Sequence, residues 1–390
     1  MVSDFAPAER LKSLKPTGIR RFFAPTGRMP GSIDLSVGEP DFSPPERVLG
    51  AGWDAAKAGK THYAPTNGIS ALRGALAQKA HREYGLHYDP ECEILIMVGA
   101  SQAIFSALLG LINPGDEVLV PDPGFVLYAP VVQLAGGKPV HVPLLEEREF
   151  RLSIDDVTSL ITDKSRVIIL NYPNNPTGGM LSYDEAASLA KIAAERDLIV
   201  ISDEVYEKIT YDGAKHHCFA TFPGMRERTL VVDSFSKTYA MTGLRIGYVY
   251  GPKELVAALW LVHQYSVASV NSLAQYAALE ALNGPQNFVN EMVREFDRRR
   301  RMVCERLNAI QGFRCSVPKG AFYVFPNITR FGMTSEQFAE FLLKKARVVT
   351  IPGSAFGSKG EGYVRISYAA AYDQLEEALD RIEEAVRTLP

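Results

Sequence analysis

The 390-residue sequence predicts an α/β fold, with one large domain on a mostly parallel seven-stranded sheet and a smaller α+β domain beside it. Three observations carry that expectation. Short β-branched runs alternate with helical patterns through the middle of the chain, the pattern of βαβ units. The breaker Asn283-Gly284-Pro285 ends the alternation. After it come a charged amphipathic helix, one strand-like run and two more helical stretches.

Candidate strands cover residues 94–98, 117–120, 139–142, 167–170, 198–202, 230–233 and 246–250. Residues 94–115 carry no charge and are long enough to span a bilayer. Gly99-Ala100-Ser101-Gln102 interrupts that stretch and Asn113-Pro114-Gly115 ends it, so a buried strand, a tight loop and a buried helix fit better. Between the fourth and fifth strands, Ser182-Tyr183-Asp184-Glu185 reads as a capping box, and Ala186, Leu189, Ala190 and Ala193 line one face of the helix it opens. The large domain is expected over residues 46–283 and the smaller one over 284–390, with residues 1–45 contributing to the smaller. In the latter, 321–325 reads as a strand and 335–345 as a helix, and Leu375, Ala378, Leu379 and Ile382 form the apolar face of a last helix.

Composition narrows the class of partner. A net charge of −3 with 22% charged residues gives no reason to expect nucleic acid or an acidic membrane. The basic run Arg298–Arg301 sits among Met292, Val293, Phe296, Val303 and Leu307 at helical spacing and reads as a charged helix face. Cys92, Cys218, Cys304 and Cys315 are scattered without a CxxC pair, which suggests reduced thiols in a cytoplasmic protein and no metal site. Residues 1–7 show no apolar signal-peptide region.

The chemistry concentrates after strands. Leu230-Val231-Val232 feeds into Ser234-Phe235-Ser236-Lys237, with Arg245 eight residues beyond the lysine. Crevices at strand carboxyl ends are where open α/β sheets bind ligands. A lysine able to lose its proton forms a Schiff base with an aldehyde. The serine and arginine suit a phosphate. Amine and phosphate site together point to pyridoxal 5'-phosphate, against the alternative of a solvated loop. Gly99-Ala100-Ser101-Gln102 opens a helix whose first N–H groups suit phosphate. Asn175, in the turn Asn171–Gly178, can donate to a phenolate oxygen, or the turn is simply structural. Asp203, at a buried strand end, needs a cation such as a protonated pyridine nitrogen, or it caps a loop, and Tyr206 three residues on can reach the phenolic oxygen. Phe125 can stack on a flat ring, or belong to the core.

In this order, Asn175-Pro176-Thr177-Gly178, Asp203-Glu204-Val205-Tyr206 and Ser234-Phe235-Ser236-Lys237 resemble the class I/II aminotransferases of pyridoxal-phosphate (PLP) fold type I, in the aspartate/aromatic subgroup. The likeness runs from Ser36-Val37-Gly38-Glu39-Pro40-Asp41-Phe42 to Gly362-Tyr363-Val364-Arg365-Ile366-Ser367. It implies that Lys237 is the Schiff-base lysine, Asp203 the pyridinium partner, and Asn175 and Tyr206 the ligands of the ring's phenolic oxygen. It further implies a phosphate cup of Ala100, Ser101, Ser234 and Arg245, with Phe125 stacked on the ring. Arg365 would clamp the substrate α-carboxylate beside the Gly38 backbone. Tyr63 would reach the phosphate of a neighbouring subunit, so that the site is completed in a homodimer.

The resemblance implies a ping-pong transfer of an α-amino group between an L-amino acid and 2-oxoglutarate. Ser101 and Phe125 stand where similar aspartate-specific enzymes often carry lysine and tryptophan, which weakens a strict aspartate reading. Leu127-Tyr128-Ala129-Pro130, and the stretch from Ala355-Phe356-Gly357 to Tyr368-Ala369, look closer to aromatic-amino-acid aminotransferases. Arg20, Arg21 and Arg28 can bind a distal carboxylate or be merely exposed. A β-lyase or synthase on the same fold is the alternative enzyme. A PLP-domain transcription regulator would need an added amino-terminal DNA-binding domain, for which the first 40 or so residues leave no room, and no GxGxxG favours a nicotinamide dehydrogenase.

Overall fold

The computed structural model describes residues 8–12, 14 and 29–389, so Arg20, Arg21, Arg28 and residues 1–7 lie outside the described residues. Its strands are β1 (Ile33–Asp34), β2 (Ile94–Met97), β3 (Glu117–Asp122), β4 (Lys138–Pro143), β5 (Ser165–Asn171), β6 (Ile199–Asp203), β7 (Thr229–Ser234), β8 (Gly247–Tyr250), β9 (Tyr323–Val324), β10 (Val348–Val349), β11 (Ile351–Pro352) and β12 (Val364–Ser367).

A seven-stranded sheet runs β2-β8-β7-β6-β5-β3-β4. Its neighbours are parallel except at β8, which lies antiparallel to both β2 and β7. This is the α/β, mostly parallel sheet that the sequence predicts. The near-continuous apolar runs of β2, β3, β5, β6 and β7 follow from burial on both faces, where alternation is not needed. Because β8 reverses on both sides, β2 points the same way as β7. The carboxyl ends of β2, β3, β5, β6 and β7 therefore open on one edge.

The uncharged stretch folds as β2 followed by a Gly99–Leu111 helix that buries Ala103, Ile104, Ala107, Leu108 and Leu111. Among the described residues no helix is long and apolar enough to cross a membrane. Ser182 forms the expected capping box with Glu185, and the Tyr183–Glu195 helix buries Ala186, Leu189, Ala190 and Ala193.

Toward the carboxyl end, β11-β12-β9 form an antiparallel sheet, and β1 pairs in parallel with β10. One apolar core gathers Leu35 with Phe296, Phe322, Leu375, Leu379 and Ile382, and it continues into Val205, Tyr206 and Ile209.

Local readings shift in three places. The helix expected over 335–345 is α-helical over Ser335–Phe341 and continues as a π turn over Leu342–Ala346. Arg347, in left-handed backbone at φ 53°, ends it and turns the chain into β10. The strand expected over 321–325 is confined to β9, because Ala321 also takes positive φ. The basic run is only half a solvated face. Arg299 and Arg300 are buried, Arg299 paired with Asp41 and Glu295, and Arg300 paired with Asp297 and Asp212 and stacked over Tyr211.

Candidate active site

Lys237 follows directly from the end of β7. Ser234 closes that strand and caps the short Phe235–Thr238 helix, its Oγ accepting from the Ser236 N–H at 3.2 Å. The cap turns the chain so that Lys237 Nζ donates to the Gly38 carbonyl at 2.5 Å. A Cβ on Gly38 would overlap Tyr323 Oη, so only glycine lets the backbone approach here. Burial lowers the Lys237 pKa from its ordinary 10.5 to about 8; Arg365 and Arg245 reinforce the shift, and Glu39 and Asp203 oppose it.

Asp203 ends β6 and is buried. Its Oδ2 accepts from Tyr128 Oη at 2.7 Å, and its backbone carbonyl accepts from Asn171 Nδ2 at 3.1 Å. Burial pushes the carboxyl up to about 6, while the Tyr128 hydroxyl and the Val205 N–H hold it down. Asn171 lies opposite Asp203 in the register of β5 and β6. Its Oδ1 accepts from the Asn175 N–H at 2.9 Å, fixing the turn that presents Asn175.

Arg365 comes from β12. Its Nη1 donates to Asn175 Oδ1 at 3.0 Å and its Nη2 to the Ser36 carbonyl at 2.5 Å. The guanidinium lies 4.4 Å from the Tyr323 ring and 4.9 Å from the Phe356 ring. It is 3% exposed, and its Nε has no partner. No carboxylate among the described residues pairs with it. A buried cation in this state is costly, and an anionic ligand relieves the cost.

On another wall, Gly99 opens its helix at φ +74°, and a Cβ there would stand 2.6 Å from Arg245 Nη2. The guanidinium can therefore lie directly against the helix start, where unpaired N–H groups and the helix dipole favour an anion. Arg245 is held by its own Nη1 donating to the Thr242 carbonyl at 2.9 Å.

These groups face a cavity of about 610 Å³. Ala100, Ser101, Phe125, Asn175, Asp203, Tyr206, Ser234, Lys237, Arg245, Gly38 and Arg365 all line it. Tyr63 does not; it is 92% exposed on the surface. Tyr128, Asn171, Ser236 and Tyr323 are among the lining residues to which the sequence reading gave no role in the site. Tyr323 shares a hydrogen bond of 2.9 Å with Tyr206, hydroxyl to hydroxyl. Asn171 was accessible in principle, as a polar side chain ending an apolar strand beside another such residue. Tyr128 and Tyr323 carry no local signal, because partners 75 and 117 residues away define them.

A match to the family described as aminotransferase class I and II covers residues 30–382. The chain is 46% identical over 384 residues to an aspartate aminotransferase of Pyrococcus abyssi, spanning 98% of each. It is equally similar, at 46% over 384 residues and 98% of each, to aromatic-amino-acid aminotransferase 2 of Thermococcus litoralis. A solved aromatic aminotransferase from Pyrococcus horikoshii OT3 superposes with a TM-score of 0.90 at 47% identity, covering 92% of this chain and 96% of that one.

Proposed function

This chain belongs to aminotransferase class I and II, a pyridoxal-phosphate-dependent family of fold type I, and from that premise we propose which residues carry the reaction and which substrates it takes. The proposed reaction moves an α-amino group from an aromatic L-amino acid or aspartate to 2-oxoglutarate in a ping-pong cycle. The observation that carries the reading is the convergence in one cavity of a half-buried lysine of lowered pKa, a buried carboxylate and a buried arginine with no carboxylate partner among the described residues.

The residues present fit pyridoxal 5'-phosphate. Lys237 offers an amine to the aldehyde, Asp203 a carboxylate to the ring nitrogen, and Asn175 and Tyr206 polar groups to the phenolic oxygen. Ala100, Ser101, Ser234 and Arg245 would hold the phosphate at the helix start that Gly99 leaves open, and Phe125 would face the ring. When bound, the cofactor supplies an electron sink for the bond being broken at the substrate α-carbon.

Arg365 binds the α-carboxylate, which satisfies its buried charge and fixes the α-carbon within reach of Lys237. Near neutrality an amine with a pKa of about 8 is unprotonated in an appreciable fraction of molecules. Lys237 Nζ then takes the α-proton and returns it on the cofactor side, a role that contributes roughly 10²–10⁴-fold. The Gly38 carbonyl accepts from Nζ and holds it at the cavity.

We also propose a division into a large domain over 46–283 and a second body of residues 1–45 with 284–390, supported by the pairing of β1 with β10. A cytoplasmic homodimer completes the reading. Its support is Tyr63 at the surface, with Leu49, Trp53, Trp260, Leu261 and Tyr265 exposed on two helices.

Purified protein loaded with pyridoxal 5'-phosphate and mixed with a panel of amino acids should lose the absorbance of the lysine-bound cofactor in a single turnover, fastest with the true donor. Added 2-oxoglutarate should restore that absorbance and yield glutamate. Lys237→Ala should fold and bind cofactor but turn over at least 10²-fold more slowly. Ammonia release without an acceptor would instead assign the site to a lyase.

A further inference from the structure

Asp203 has two carboxylate oxygens, and the protein engages them unequally. Oδ2 takes a hydrogen bond of 2.7 Å from Tyr128 Oη. Among the described residues Oδ1 has only the long 3.5 Å contact from the Val205 N–H. Tyr128 is 2% exposed, so its hydroxyl donates to Asp203 away from solvent. The tyrosine starts the Tyr128–Leu134 helix, three residues after Phe125, and the two rings meet edge to face at 5.7 Å. The turn ahead of them is pinned to the segment beside Arg365: Gly124 N–H donates to the Phe356 carbonyl at 2.9 Å, and Asp122 accepts from the Ser358 hydroxyl at 2.8 Å.

From this geometry we infer that Tyr128 is a positioning residue for the transamination: its hydroxyl occupies Asp203 Oδ2, holds the carboxylate rotamer, and reserves Oδ1 for the ring nitrogen of the cofactor. The inference rests on the proposed role of Asp203. A carboxylate gripped at one oxygen is held against rotation, and its other oxygen is the better acceptor for the ring nitrogen. Because one turn supplies both Phe125 and Tyr128, the ring's face and its nitrogen partner are set together. Tyr128 also favours the ionised acid. The charged groups near Asp203 are Lys237, which stabilises the carboxylate, and the adjacent Glu204, which opposes it. Against the cost of burial, the phenol is the largest of the favourable contributions.

The test is Tyr128→Phe, which keeps the ring and deletes the donor. Apoprotein titrated with pyridoxal 5'-phosphate should bind it roughly 10-fold more weakly than wild type, the loss of one charge-assisted hydrogen bond. The acid limb of that binding curve should move to higher pH, because the remaining interactions hold the carboxyl less firmly ionised. In an Asp203→Asn background the same substitution should change affinity less than two-fold, since the partner is already neutral. Unchanged affinity and an unmoved acid limb in Tyr128→Phe would overturn the inference, as would an equal loss in the Asp203→Asn background. If Tyr128→Phe does not fold, Tyr128→Met carries the same three measurements. Wild-type protein that neither binds the cofactor nor transaminates would refute the proposed function instead, so the two failures are distinguishable.

Discussion

The Lys237 amine and the Arg365 guanidinium share one low-dielectric cavity, and each makes the other's charge more costly. The lysine yields, because its proton can leave and the arginine's effectively cannot. With the folded pKa near 8 and the unfolded value at 10.5, the unfolded chain binds more protons between those pH values. The apoprotein should therefore gain stability as pH rises through that window, and the desolvated ammonium should count against it below pH 8. The same shift predicts that a small acylating reagent labels Lys237 of the apoprotein with a midpoint near pH 8, well before surface lysines. Arg365→Leu should move that midpoint upward. Peptide mass mapping across pH reads both, and a Lys237 midpoint above 10 would remove the basis for its role as a base. The residues that sequence alone exposes at this scale are those within short motifs. Lys237, Asp203 and Asn175 announce themselves by their neighbours, whereas Tyr323 is one aromatic in an apolar run until the fold sets it against Tyr206.

Among the elements, the Gly99–Leu111 helix shows how a local conformation becomes a binding surface. Its first residue is left-handed, and the missing side chain is the space into which Arg245 fits. Gly99→Ala should lower stability by about 1–2 kcal/mol from the forced positive φ. It should also weaken cofactor binding by at least roughly 10-fold by displacing the guanidinium from the phosphate position. Thermal melting of the apoprotein and a cofactor titration separate the two effects. Normal affinity in a folded variant would mean that Arg245 does not need this approach. The elements themselves were largely readable, because β-branched runs, the capping box at Ser182 and the breaker at Asn283–Pro285 are local. Less readable was the π turn at Leu342–Ala346, since nothing in a helical apolar pattern distinguishes one extra residue per turn.

For the whole molecule, the sheet order decides where the motifs meet. Lys237, Asp203 and Asn175 converge because β7, β6 and β5 are parallel neighbours, and Ser101 joins them because the reversed β8 lets β2 run the same way as β7. Assembly belongs to this scale too. Tyr63 is 92% exposed and outside the cavity of its own chain, although the resemblance assigns it to a phosphate. Sedimentation should give a dimer, and Tyr63→Phe should leave the dimer intact while weakening cofactor binding several-fold. Trp260→Glu or Tyr265→Glu should shift the protein toward monomer. A monomeric wild type with full activity would sink the shared-site reading.

By itself the sequence determined the α/β class, the succession of strands and helices, and the motif residues that sit at strand ends, because each of these depends on neighbours within a few positions. The fold decided which of those strand ends share an edge, that Arg365 is buried with no carboxylate beside it among the described residues, and that Tyr128 grips Asp203. These depend on side chains brought together across 75 to 190 residues, and only the packed sheet supplies that proximity.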